Sequence, residues 1–170
     1  MILKLTGAAL VLTSCGGVGF LMTRYYRREE ALLRELIAVL DYMQCDLQYR
    51  LTPLPELCAG SAKEHPGVLG QVLQIVADDL EENGSSSVAG SMIKAVNTVT
   101  DIPDYVGDSL IKLGGVMGRF DLEGQVAGFE SIREHCRKKL EEMEHNREQR
   151  LRSYQTLGIC AGAALAILFV

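Results

Sequence analysis

Charge is missing from both ends of this sequence. Leu5 to Thr23 and Ser153 to Val170 contain no Asp, Glu, Lys or Arg, and each run is at least 18 residues long. A helix needs about 20 apolar residues, at 1.5 Å rise per residue, to cross the hydrocarbon core of a bilayer. Both runs are edged on their inner side by arginine: Arg24, Arg27 and Arg28 after the first, Arg147, Arg150 and Arg152 before the second. Basic flanks resist translocation. The expected layout is therefore a hairpin in the cell membrane, with transmembrane helices over 1–23 and 153–170 and a cytoplasmic helical domain over 24–152.

Positive charge is scarce between those ends. From Asp41 to Glu123 there are 13 acidic and 5 basic side chains, a local net of −8 inside an overall charge of −5. A nucleic-acid partner is excluded on this ground, because phosphates demand a basic face. The acidic run Asp78, Asp79, Glu81 and Glu82 reads first as a solvated face, and is a candidate contact for a basic protein partner.

Paired cysteine spacing is absent. Cys15, Cys45, Cys58, Cys136 and Cys160 are odd in number, none forms a CxxC, and two lie in the apolar ends. Reduced thiols in a cytoplasmic body are expected, with Cys45, Cys58 and Cys136 as small core residues. Leu12-Thr13-Ser14-Cys15 resembles a bacterial lipobox. Lipidation at Cys15 would instead give an outward-facing binding or sensor module. Against this stand the apolar run continuing to Met22 and the arginines behind it. A cleaved secretory signal has less support, since no A-x-A-like site follows the run.

No stretch alternates convincingly as a strand, and the pattern is helical throughout. Leu33, Leu36, Leu40, Met43 and Leu47 draw an apolar stripe along a first helix over Tyr26 to Leu51, which Thr52-Pro53-Leu54-Pro55-Glu56 ends. Thr52 is the expected cap of a second helix, about 54–64, which His65-Pro66-Gly67 breaks. A third is expected over 68–82, a fourth over 88–98 and a fifth over 105–117. Gly114, Gly115 and Gly118 read as a loosening of the fifth before Asp121 caps a long sixth helix, 122–152. The sixth keeps a near-heptad rhythm that Arg133 and Arg147 interrupt, so it is no pure coiled coil.

The fold class is all-α: a six-helix bundle with long first and last helices, antiparallel and with their stripes able to face each other. In the apolar ends, Gly158 and Gly162 form a GxxxG, a spacing that suits close helix approach in lipid. It serves equally for packing between the two spans or between subunits of a homo-oligomer.

Chemistry is the last absence. His65, His135 and His145 form no HxxxH or HExxH, and Glu142 with His145 is a lone ExxH on a charged helix. Leu113-Gly114-Gly115-Val116-Met117-Gly118 lacks the strand and the Lys-Ser or Lys-Thr of a phosphate loop. No Ser-His-Asp or Cys-His set assembles, so neither an enzyme nor a cofactor or metal site is expected.

Two blocks carry a resemblance. Tyr26 with Leu32 to Tyr49 and then Thr52-Pro53-Leu54-Pro55-Glu56 resembles the opening helix and TPL-x-E turn of the stage III sporulation protein AB family. Leu113-Gly114-x-x-Met117-Gly118-x-x-Asp121-x-x-x-Gln125 is similar to that family's LG-x-x-LG-x-x-D-x-x-x-Q block, with Met117 in place of a leucine and Pro55 as an added proline. The likeness implies a mother-cell protein of the outer forespore membrane, whose central domain resembles type II secretion and type IV pilus platform domains. It further implies a non-enzymatic platform of the channel between mother cell and forespore. Its expected partners are a companion cytoplasmic ATPase (the stage III sporulation AA protein), other membrane components of that complex and the lipid bilayer. Thr52, Pro53, Leu54 and Glu56 join Asp78, Asp79, Glu81 and Glu82 as candidate partner contacts.

Overall fold

Spacing and breakers place the helices where they occur. The computed structural model describes the backbone over residues 2–82, 87–118 and 121–169, and side chains over 24–82, 87–118 and 121–145. Its elements are α1 (Ile2–Arg50), α2 (Leu54–Glu64), α3 (Val68–Glu82), α4 (Val88–Thr98), α5 (Asp104–Met117) and α6 (Leu122–Phe169), with no strand among the described residues. The expected bounds of α2, α3 and α4 are met, and α5 starts one residue early. The expected transmembrane helices over 1–23 and 153–170, with Cys15, Arg147, Arg150, Arg152, Gly158 and Gly162, lie outside the residues whose side chains are described. Among the described residues no helix is long and apolar enough to cross a membrane.

Two compact units divide the chain, Met1–Cys136 and Arg137–Val170. In the first, the α1 stripe is the floor of the core: Leu33, Leu36, Leu40 and Met43 are fully buried, with Val39 beside them. Leu57 and Cys58 of α2 meet that core, as do Leu69, Leu73 and Val76 of α3, Met92 of α4, Leu110 and Leu113 of α5 and Phe129 of α6. Each such aliphatic or aromatic side chain contributes about 1.5–3 kcal/mol by leaving water.

A seam of glycines on α5 sets how closely α4 approaches. A side chain at Gly107 would lie 3.3 Å from Val96 Cγ1, one at Gly114 2.6 Å from Met92 Cβ, and one at Gly118 3.3 Å from Val88 Cβ. Residues 107, 114 and 118 recur at helical spacing, so they line one face. This corrects the reading of Gly114 and Gly115 as a loosened helix end. The helix runs through both to Met117, and the absence of a side chain at Gly114 admits Met92.

The turn into α6 is fixed by two side chains. Asp121 caps as expected, its Oδ1 accepting from the Gly124 amide at 3.0 Å, and Gln125 Nε2 donates back to the Met117 carbonyl at 3.3 Å. Within this unit the close approach of α6 is to α5, where Val116 covers Gly128. The expected meeting of α1 and α6 takes the form of a polar clamp: Arg133 Nη1 donates to Asp41 Oδ1 at 2.6 Å and to Gln44 Oε1 at 3.1 Å. The arginine that breaks the heptad rhythm is thus the residue that ties α6 to α1.

The seam predicts opposite outcomes for adjacent glycines. Gly115 has nothing within 4 Å of a would-be side chain. Gly115→Ala removes a helix-interior glycine and should raise stability by up to about 1 kcal/mol. Gly114→Ala gains the same propensity but collides with Met92, and overpacking of about 1–3 kcal/mol should leave it less stable than the parent. Thermal unfolding of the two variants followed by circular dichroism checks the order; equal midpoints would contradict the seam.

Candidate functional site

Three surface regions collect the residues singled out above. The first is the corner between α1 and α2. Leu51 turns the chain in the left-handed region at φ 53°, a conformation that costs a non-glycine residue about 1–2 kcal/mol. Thr52 does not cap α2, contrary to expectation. Pro53 occupies the cap position at φ −57° and ψ 146°, no side chain caps the helix, and the Leu57 amide donates to the Pro53 carbonyl at 2.9 Å. The reason is that Pro53, at ψ 146°, is itself extended rather than helical, so it takes the cap position and α2 starts at Leu54. Leu54 is half-buried and Glu56 exposed in the first turn. Beside them Tyr49 and Leu51 are 82% and 68% exposed. These two escaped the sequence reading, although they stand beyond Leu47, the last member of the stripe, and just ahead of the prolines.

The acidic run divides into two kinds of residue. Asp79 is turned inward, its side chain 11% exposed, and accepts hydrogen bonds from Ser91 Oγ and from Lys94 Nζ at 2.6 Å. It fastens α3 to α4, and the hydrogen bond pushes the Lys94 ammonium above its ordinary pKa. Asp78, Glu81 and Glu82 are exposed, with Asp78 Oδ1 accepting from Gln74 Nε2 at 2.8 Å. Only these three present carboxylates outward.

The third region lies at the N-terminal side of the described part of α1, where Arg24, Arg27 and Arg28 are all exposed. Arg28 pairs with Asp101 at 3.3 Å. Asp101 stands at φ 73° in the turn between α4 and α5. Arg24, Tyr25 and Arg28 on one side and Asp101, Ile102 and Pro103 on the other line a cleft of about 230 Å³. Asp101-Ile102-Pro103 separates α4 from α5, and nothing in its spacing shows which helix it meets.

Titratable groups inside the bundle are few. Burial raises the Glu35 carboxyl above its ordinary pKa, and the charge of His65 opposes the shift. His65 stands edge-on to Tyr42, with ring centres 6.2 Å apart. Burial pushes the Cys58 thiol to about 12. It also raises Cys136, against a hydrogen bond with Ser109 and the charge of Lys112. Cys45 is exposed, which corrects its assignment to the core; it falls outside the stripe that ends in Met43 and Leu47. Among the described residues no three His, Cys, Asp or Glu side chains gather to hold a metal ion.

Comparison with known proteins gives these regions a family. The family model for stage III sporulation protein AB matches residues 4–170, and the chain belongs to that family. It is 22% identical over 170 residues to stage III sporulation protein AB of Bacillus subtilis (strain 168), covering 99% of each chain. A solved structure of a stage III sporulation protein AB has the same fold, with a TM-score of 0.63 at 18% identity over 72% of this chain and 98% of that one.

Two measurements follow from the geometry. For Glu35, a carboxyl whose pKa is higher folded than unfolded binds more protons in the folded state, so its ionisation lowers stability as pH rises above about 4.5. Glu35→Gln should therefore unfold at a higher temperature than the parent at neutral pH, with the gap closing near pH 4; a gap independent of pH would refute this. For the cysteines, a maleimide at pH 7 should modify Cys45 in the folded protein and leave Cys58 and Cys136 unmodified until the chain unfolds, because reaction requires an accessible thiolate. Peptide mapping by mass spectrometry reads the sites.

Proposed function

We propose that this member of the stage III sporulation protein AB family is a non-enzymatic membrane platform. It serves in the channel complex between mother cell and forespore and engages a companion cytoplasmic ATPase. The observation that carries this reading is helical continuity. The backbone of α1 is helical from Ile2 to Arg50 and that of α6 from Leu122 to Phe169, so each uncharged end is one helix with a core element. In this reading both ends insert from the cytoplasmic face, and α1 runs from its anchor into the core without a break in the helix.

The contact surface for the motor is the α1–α2 corner together with Asp78, Glu81 and Glu82. Exposed Tyr49 and Leu51 are of the kind that anchor interfaces, tyrosine in particular being enriched at their energetic centres. The outward carboxylates steer a basic partner and act mainly on the association rate. Asp79 stands apart from them because it is committed to Ser91 and Lys94.

The test uses the full-length chain in nanodiscs and the companion ATPase. Asp78→Lys combined with Glu81→Lys and Glu82→Lys should slow association at least tenfold with the unfolding temperature unchanged. Tyr49→Ala should speed dissociation. Undiminished recruitment by both variants would remove these surfaces, and no recruitment by the parent chain would overturn the engagement itself.

A further inference from the structure

We propose that the cleft between α1 and the α4–α5 turn binds the phosphate headgroup of an anionic phospholipid. The proposal rests on the membrane reading above and adds a ligand site to it. Arg24 and Arg28 are one helical turn apart, so their side chains rise from the same face of α1 with about 5–6 Å between Cβ atoms. Two guanidinium groups at that spacing can hold one phosphate through paired N–H donors. Both line the cleft.

The opposite wall comes from the turn into α5. Pro103 lines the cleft and occupies the cap position of α5, a 14-residue helix whose start has no side-chain cap. Asp101 gives this wall a negative charge, so Arg24 and Arg28 supply the positive charge of the cleft. The size also selects. At about 230 Å³ the cleft falls below the roughly 300–1,000 Å³ of sites that enclose a drug-sized ligand, and suits a headgroup better than a nucleotide. Tyr25, 48% exposed, supplies an amphipathic ring of the type that settles at the headgroup level, and Ile102 gives the cleft an apolar lining. The uncharged run of Leu5 to Thr23 ends immediately before Arg24, which sets the cleft at the height of the headgroups if that run is inserted.

The ligand has to compete with a carboxylate of the cleft. Asp101 holds Arg28 at 3.3 Å, but the two side chains are 68% and 45% exposed, so their pair is a weak one. A headgroup phosphate replaces it, and Asp101 acts as a competitor that tunes affinity. Asp101 also sits at φ 73°, a conformation that asparagine accepts, so Asp101→Asn removes the charge without straining the turn.

The experiment takes the full-length chain in mild detergent with equal amounts of phosphatidylglycerol and phosphatidylcholine, and native mass spectrometry reads which lipid stays bound. The parent should prefer phosphatidylglycerol. Each juxtamembrane arginine contributes roughly fivefold, so Arg24→Gln with Arg28→Gln should reduce that preference about 30-fold. Asp101→Asn should increase it. Arg34→Gln with Lys63→Gln, the same charge change away from the cleft, should leave it as it was. An unaltered preference in the double cleft variant, an equal loss in the control pair, or no gain in Asp101→Asn would overturn the proposal. Displacement of the lipid by millimolar inorganic phosphate would assign the cleft to a dissolved phosphate instead. Flotation with phosphatidylcholine vesicles separates the two readings. A chain that does not float fails the membrane reading itself, whereas one that floats without lipid preference fails only the headgroup site.

Discussion

The stripe on α1 is the constraint on which the rest of the first unit depends. Leu33, Leu36, Leu40 and Met43 are wholly withdrawn from water, and α2, α3 and α5 all touch α1 directly. Because these side chains follow one another down a single helix, the rotation of α1 about its axis is fixed by the whole core at once. That in turn fixes the corner at Leu51, the position of Asp41 and Gln44 opposite Arg133, and the direction in which Arg24 and Arg28 emerge. A turn of α1 by even a fraction of its pitch would have to move every buried member of the stripe together, since close-packed interiors do not deform locally.

The family-like block after α5 works inside the fold. Leu113 and Met117 are buried, Gly114 and Gly118 admit α4, Asp121 caps α6, and Gln125 reaches the Met117 carbonyl. The corner block is alike: Pro53 starts α2 and Leu57 closes its first turn. Residues that identify the family here are therefore residues that make the fold. The partner surface proposed above lies beside these blocks, at Tyr49 and Leu51 and at the outward carboxylates of α3.

What could be read from the sequence was whatever depended on neighbours along the chain. Period and breakers gave six helices with bounds that hold to within a residue for α2 to α5, because a proline acts on its immediate neighbours. What could not be read depended on neighbours in space. Gly114 reads as a helix breaker until Met92 is seen against it. Asp79 is indistinguishable from Asp78 in a run of carboxylates, yet one turns toward Ser91 and Lys94 and the other does not. Arg133 looked like a fault in a heptad until Asp41 was found 92 positions away in sequence. Cys45 and Cys58 differ only in which side of their helix faces the core. The Arg28–Asp101 contact joins segments that no periodicity relates.

The two ends of the part of α1 over 24–50 differ in chemistry, and one continuous helix links them. Arg24 and Arg28 stand at one end beside a turn that carries Asp101; Tyr49 and a strained Leu51 stand at the other. The residues between Arg28 and Tyr49 span about 30 Å of continuous helix at 1.5 Å per residue. No glycine or proline interrupts that stretch, so it has no built-in point of bending. A load or a ligand at one end could reach the other only by shifting or rotating the whole helix against the packed stripe. The weak exposed pair at Arg28 can open with little loss, while the buried leucines cannot move without large loss. Change at the arginine end is thus absorbed there, and the corner keeps its geometry, as the docking surface proposed for it requires.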